Sequence, residues 1–115
     1  MKTTDIARIC HEANRGYCMA IGDDSQHSWD SAPDWQRESV ISGVSYVMEH
    51  PKVTPEEIHG NWLKEKAEQG WKYGPRKDEH EKVHPCFLPW SQLHEEDKVK
   101  DTLFCIITKT FLNDF

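Results

Sequence analysis

The chain has 115 residues, and its 14 Lys and Arg against 20 Asp and Glu leave a formal charge of −6. Its mean hydropathy is −0.80 and it has no apolar run near the ~18 residues of a membrane span, while 10% aromatic residues are too many for a solvating disordered tail. The acidic balance argues against binding to nucleic acid, whose phosphate backbone is held by a basic footprint, so composition describes one small soluble domain over 1–115.

The first residues, Met1-Lys2-Thr3-Thr4-Asp5, mix charges into the N-terminus and offer no apolar signal-type segment. That predicts a cytoplasmic chain in which Cys10, Cys18, Cys86 and Cys105 are reduced, packed thiols. Ile6, Ile9, Cys10, Ala13, Tyr17 and Ile21 recur on one helical stripe. The spacing predicts a first helix from about Asp5 to Ile21, with Thr4 as N-cap and Gly22 as stop. Residues 22–32 are small and polar around Trp29, a loop of Asx-turn chemistry clamped over the core by Trp29 and Trp35. Pro33 opens a second helix whose apolar face is Val40, Ile41, Val44, Val47 and Met48, and which ends before Pro51.

The third start signal is the strongest. Thr54-Pro55-Glu56-Glu57 supplies a capping hydroxyl, a first-turn proline and a capping-box carboxylate, opening a helix to Gln69 that stops at Gly70. Ile58, Trp62 and either Leu63 or Lys66 mark its buried side, with the charged run from Lys64 to Glu68 mostly solvated. From Trp71 to Leu93, Gly74, Pro75, Pro85 and Pro89 interleave with Trp71, Tyr73, Val83, Phe87, Leu88 and Trp90, an ordered, aromatic-pinned loop with room for one short strand pair. A last helix runs from about His94 to Leu112, opened by Glu95, Glu96 and Asp97 at the positive end of its dipole, with Val99, Leu103, Ile106, Ile107 and Phe111 as core. The fold class is therefore mainly α: a small four-helix domain with one long ordered loop, in which a helical pair over 1–53 packs on the rest.

The densest chemistry lies in that loop. Trp71, Tyr73, Arg76, Lys77 and His84 place aromatics beside cations, a combination suited to a planar anion such as a nucleotide, since Arg forks onto phosphate while Trp or Tyr stacks on a base. The same residues also serve as gap-filling aromatics and solvated cations in a purely structural loop. His80, His84 and Cys86 do not make a zinc site, because Pro85 intervenes and no second cluster stands at finger spacing. The loop around Asp23 and Asp24 lacks the alternating ligands and central glycine of a calcium loop. His11-Glu12 lacks a second His four residues on, and Gly-x-Ser-x-Gly and a Gly-rich phosphate loop are both missing. No metal, cofactor or catalytic grouping is expected, and the chain reads as a non-enzyme.

From Ile58 to about Phe111 the sequence resembles the ryanodine receptor repeat, or RyR domain. The resemblance is carried by Asn61-Trp62, Gly70-Trp71-Lys72-Tyr73-Gly74, Arg76-Lys77-Asp78 and His84-Pro85-Cys86-Phe87-Leu88, in that order. The first half, with Gly22-Asp23-Asp24-Ser25-Gln26 and Ala32-Pro33-Asp34-Trp35-Gln36, looks like the N-terminal part of stand-alone bacterial and phage proteins that carry one such domain. The resemblance implies a mostly helical module with short extended segments. In the animal channels such repeats occur as tandem pairs in the cytoplasmic shell and serve contacts and, in at least one pair, adenine-nucleotide binding. Two functions follow as expectations: a ligand-binding module for a nucleotide or another small anion at Trp71, Tyr73, Arg76, Lys77 and His84, or a structural and protein-interaction module, a homodimer among its forms.

Overall fold

The computed structural model describes residues 1–114, with Phe115 outside them. Four helices carry the fold: α1 (Thr3–Ala20), α2 (Asp34–Glu49), α3 (Pro55–Glu68) and α4 (Glu95–Thr110). Two strands of two residues, β1 (Lys72–Tyr73) and β2 (Val83–His84), form one parallel pair with Lys72 opposite Val83 and Tyr73 opposite His84. Single 3-10 turns lie at Trp29–Ser31, Trp90–Gln92 and Leu112–Asp114. The radius of gyration, 13.4 Å, is that of one domain of this length.

Local chemistry sets the helix ends. At α3 the Thr54 hydroxyl accepts the Glu57 N–H at 3.2 Å while the Thr54 N–H donates to the Glu57 carboxylate at 3.1 Å, the reciprocal box expected from the sequence. Gly22 and Gly70, the two expected stops, have φ of +93° and +89°, which only glycine adopts without strain. The first helix begins earlier than expected. Its N-cap is Lys2, not Thr4, because the Asp5 carboxylate reaches back to the Lys2 N–H at 2.8 Å. Pro33 is the N-cap of α2 rather than its first residue.

α1 packs on α2 and α4, α4 also packs on α3 and α2, and α2 touches α3. One part of the core joins Ile6, Ala7 and Cys10 of α1 to Trp29 and Val44, and a second joins Val47, Val53, Ile58 and Cys105. Phe104 packs against both. Because α1 faces two neighbours and α4 three, their buried surfaces are turned from the stripes read in the sequence. On α1 Ile9 is exposed, as is Ile21 at its C-cap, whereas His11 and Cys18 are buried. On α4, Val99 and Ile106 are exposed, and Cys105 and Thr108 are buried in their place. The polar substitutes are matched: His11 Nε2 donates to the His27 carbonyl at 2.7 Å, and Thr108 Oγ1 lies 3.6 Å from Cys10 Sγ.

The long connection from α3 to α4 is held by its own contacts. Asp78 exchanges both backbone hydrogen bonds with Val83 at 3.0 Å, and its carboxylate accepts the N–H groups of His80 and Glu81, both at 3.0 Å. At Gly74 the pairing leaves no room for a side chain, since a Cβ there would sit 2.8 Å from Val83 Cβ. Asp23 closes an Asx turn on Ser25 in the first loop, where Trp29 is buried as expected.

Candidate functional site

The last turns of α3 and the start of β1 bring Lys66 and Trp71 together, and Trp71 N–H donates to the Lys66 carbonyl at 2.9 Å. Lys66 is 3% exposed, with its ammonium 5.1 Å from the Trp35 ring centre and 5.9 Å from that of Trp71. The two indoles lie 5.4 Å apart, in contact with each other, so α2 and the loop each present a ring to the same ammonium. Lys66 lines a cavity of about 220 Å³. Lys77 from the loop and Lys100 from α4 share its wall.

His84 stands among these cations. Its Nδ1 accepts the Cys86 N–H at 3.0 Å, which leaves the proton of the neutral ring on Nε2. Burial, together with Lys77, Lys100 and Lys66, pushes its pKa down to about 3. Trp62 meets the same ring edge-on at 5.2 Å. The cavity wall thus carries the neutral ring of His84, two further imidazoles in His11 and His59, three ammonium groups and three indoles, those of Trp35, Trp62 and Trp71.

Most of the opposing charge is already engaged. Asp97 pairs with Lys100 at 3.1 Å, Asp101 with His59 at 3.4 Å, and Glu65 accepts the Ser42 hydroxyl at 2.6 Å. Lys77 has Glu79 at 3.7 Å. Burial acts against the Lys100 ammonium, but the Cys86 and Cys18 sulfurs and Asp97 outweigh it and raise its pKa. His59 sits between two acceptors: Nε2 donates to the Leu88 carbonyl at 2.7 Å, and Nδ1 faces Asp101. Burial opposes its charge, yet Asp101 and the Leu88 carbonyl prevail and raise its pKa, so the ring is held towards its cationic form.

Lys66 is the exception. It takes part in no ion pair among the described residues, and its polar partner is the Gln69 amide oxygen at 3.4 Å. Burial lowers its pKa, Lys77 adds to that, and Glu65 opposes it.

Of the loop residues singled out in the sequence, the fold gathers Trp71, Lys77 and His84 at the cavity wall. Tyr73 is 52% exposed on β1 and Arg76 is exposed in the loop, both away from that wall. The sequence reading gave Trp35 a clamping role and Asp97 a dipole-matching one, and passed over Lys100 and Asp101; all four lie outside the loop motif. Lys66 stood among the charged residues of α3, although Ile58, Trp62 and Lys66 at spacings of four already put it on the buried side. His80, His84 and Cys86 are not drawn together, and among the described residues no group of three or more His, Cys, Asp or Glu is arranged to hold a metal ion. No helix among them is long and apolar enough to cross a membrane.

A family model, described as the RyR domain, matches residues 39–111, more than half of the chain. The match begins within α2, earlier than the Ile58 boundary suggested by the motifs.

Proposed function

The chain belongs to the RyR domain family, and from that premise we propose that it is a ligand-binding module whose cavity takes a small planar anion, of the nucleoside monophosphate class or smaller. The observation that carries this is Lys66, a 3% exposed residue whose ammonium has no carboxylate partner and lies beside the paired indoles of Trp35 and Trp71 on the cavity wall. A buried charge left uncompensated costs several kcal/mol or shifts its pKa, and an incoming anion supplies the missing partner. Lys77, Lys100 and the Nε2–H of His84 add donors around the anion, and Trp35 and Trp71 offer ring faces. The volume of about 220 Å³ lies below the ~300–1,000 Å³ of drug-sized pockets, which favours a single nucleotide unit or a smaller ligand over a dinucleotide.

The ligand is bound and not turned over. Burial pushes the Cys10 thiol up to about 11 and the Cys86 thiol up to about 12, far from a nucleophilic thiolate. A cytoplasmic location fits free thiols of this kind: all four cysteines are buried and unpaired. Titration of the whole chain with AMP, inorganic phosphate and adenosine tests the proposal. AMP should bind more tightly than either fragment, because the nucleoside lacks the anion and phosphate lacks the ring; failure of all three to bind below ~1 mM overturns it.

An interaction module is the second reading, favoured by Val99 and Ile106, two turns apart on one face of α4 and 39% and 61% exposed. Light scattering that shows a strict monomer at high concentration would remove its homodimeric form.

A further inference from the structure

The wall built by α1 and α2 carries two side-chain amides with unmet hydrogen-bonding capacity. Asn14 Oδ1 and Gln36 Oε1 are both buried without a hydrogen-bond partner, and they are the only such side-chain atoms among the described residues. Both residues line the cavity that Lys66 faces. Folded proteins satisfy the great majority of buried polar atoms, and each orphan carries an uncompensated desolvation cost, so a pair of them on one cavity wall is not neutral packing. An aliphatic side chain of the same size would stabilise the empty fold. Both residues also lie outside 39–111, the segment matched by the family model, and Gln36 directly follows Trp35, whose indole covers Lys66.

Resting on the proposed binding of a planar anion, we propose that Asn14 and Gln36 are the specificity-determining residues of the cavity, selecting a ring that carries an exocyclic amino group. The unmet atoms are acceptors, and an amino group supplies the N–H donors they need. An amide oxygen beside an amide nitrogen matches a ring edge that presents a donor next to an acceptor. The terminal torsions of Asn and Gln are broad, so either amide turns towards a ligand at little cost. The anion is held by lysines of α3, the loop and α4, while the ring is chosen by residues of the first 38 positions. Affinity and selectivity are thereby separated along the chain.

The test compares AMP with purine riboside 5′-monophosphate, which has the same phosphate and ring system without the amino group. The wild-type chain should prefer AMP by about tenfold or more, since a site that hydrogen-bonds a ligand N–H rejects the analogue that lacks it. In Asn14→Leu/Gln36→Met the preference should fall to near unity, with binding of the analogue retained. The single variant Gln36→Met gives a ligand-free readout: its thermal midpoint should equal or exceed that of the wild type. Equal binding of the two nucleotides by the wild type, an unchanged preference in the double variant, or a midpoint lowered by several degrees in Gln36→Met overturns the assignment. Binding of neither nucleotide overturns the cavity proposal itself and this assignment with it.

Discussion

Stability should fall steeply in mild acid, and the fall should come from His84. In the unfolded chain this imidazole titrates near 6.5, whereas in the fold burial and the fields of Lys77, Lys100 and Lys66 push it down to about 3. Between those values the unfolded state binds the extra proton and the folded state does not, so stability is present above the unfolded pKa and is lost as pH falls. The loss approaches ~1.4 kcal/mol per pH unit, which gives about 3 kcal/mol between about pH 7.5 and pH 4.5. For a domain whose total stability is of order 5–15 kcal/mol, that is a large fraction. Urea denaturation at the two pH values measures the loss, and the variant His84→Asn isolates it. Its amide oxygen retains an acceptor for the Cys86 N–H, which His84 accepts at 3.0 Å, but it has no proton to gain. Other titrating groups cancel in the comparison. The variant should lose about 3 kcal/mol less than the wild type over this interval. If both proteins lose the same amount, His84 does not sit in the cationic field described, and the electrostatics of the cavity are wrong.

Two further outcomes follow from the surrounding geometry. Gly74→Ala should destabilise the chain by about 1–3 kcal/mol in urea melts, because the added Cβ meets Val83 Cβ at 2.8 Å and forces β1 from β2. His59 acts with the opposite sign to His84: its pKa is raised against Asp101, so its contribution is present at low pH and is lost as pH rises through the folded value. Asp101→Asn should remove that loss, leaving a flatter stability profile above about pH 6.5, and a profile that is unchanged would show that the pair is not coupled.

How far the sequence discloses this protein differs between backbone and site. Helix ends are local events: Thr54 with Glu57, Gly22 and Gly70 announce themselves within a few residues, and three of the four helices begin within a residue of where such signals put them. The rotation of α1 and α4 is not local. Thr108 is buried because Cys10 stands against it, and His11 because the His27 carbonyl receives its proton, partners fixed only by the tertiary fold. The site divides in the same way. Trp71, Lys77 and His84 are crowded into one loop and are legible there, but the loop alone does not say which of its side chains turn inward, and Tyr73 and Arg76 turn out. Lys66 stands in the sequence both as the buried alternative to Leu63 and within a mostly solvated charge run, and the cover of Trp35, thirty-one residues earlier, decides between the two. The unmet amides of Asn14 and Gln36 have no sequence signature, since burial without a partner is a property of the assembled wall.

Calorimetric titration of AMP into the wild-type chain and into Lys66→Met decides whether the cavity beside Lys66 is an anion site. Binding should be measurable below ~1 mM in the wild type and about tenfold or more weaker in the variant, while the unliganded variant melts no lower than the wild type because an uncompensated buried charge has been removed. Equal affinity in the two proteins, or no binding to either, would contradict the assignment of the Lys66 cavity as an anion site.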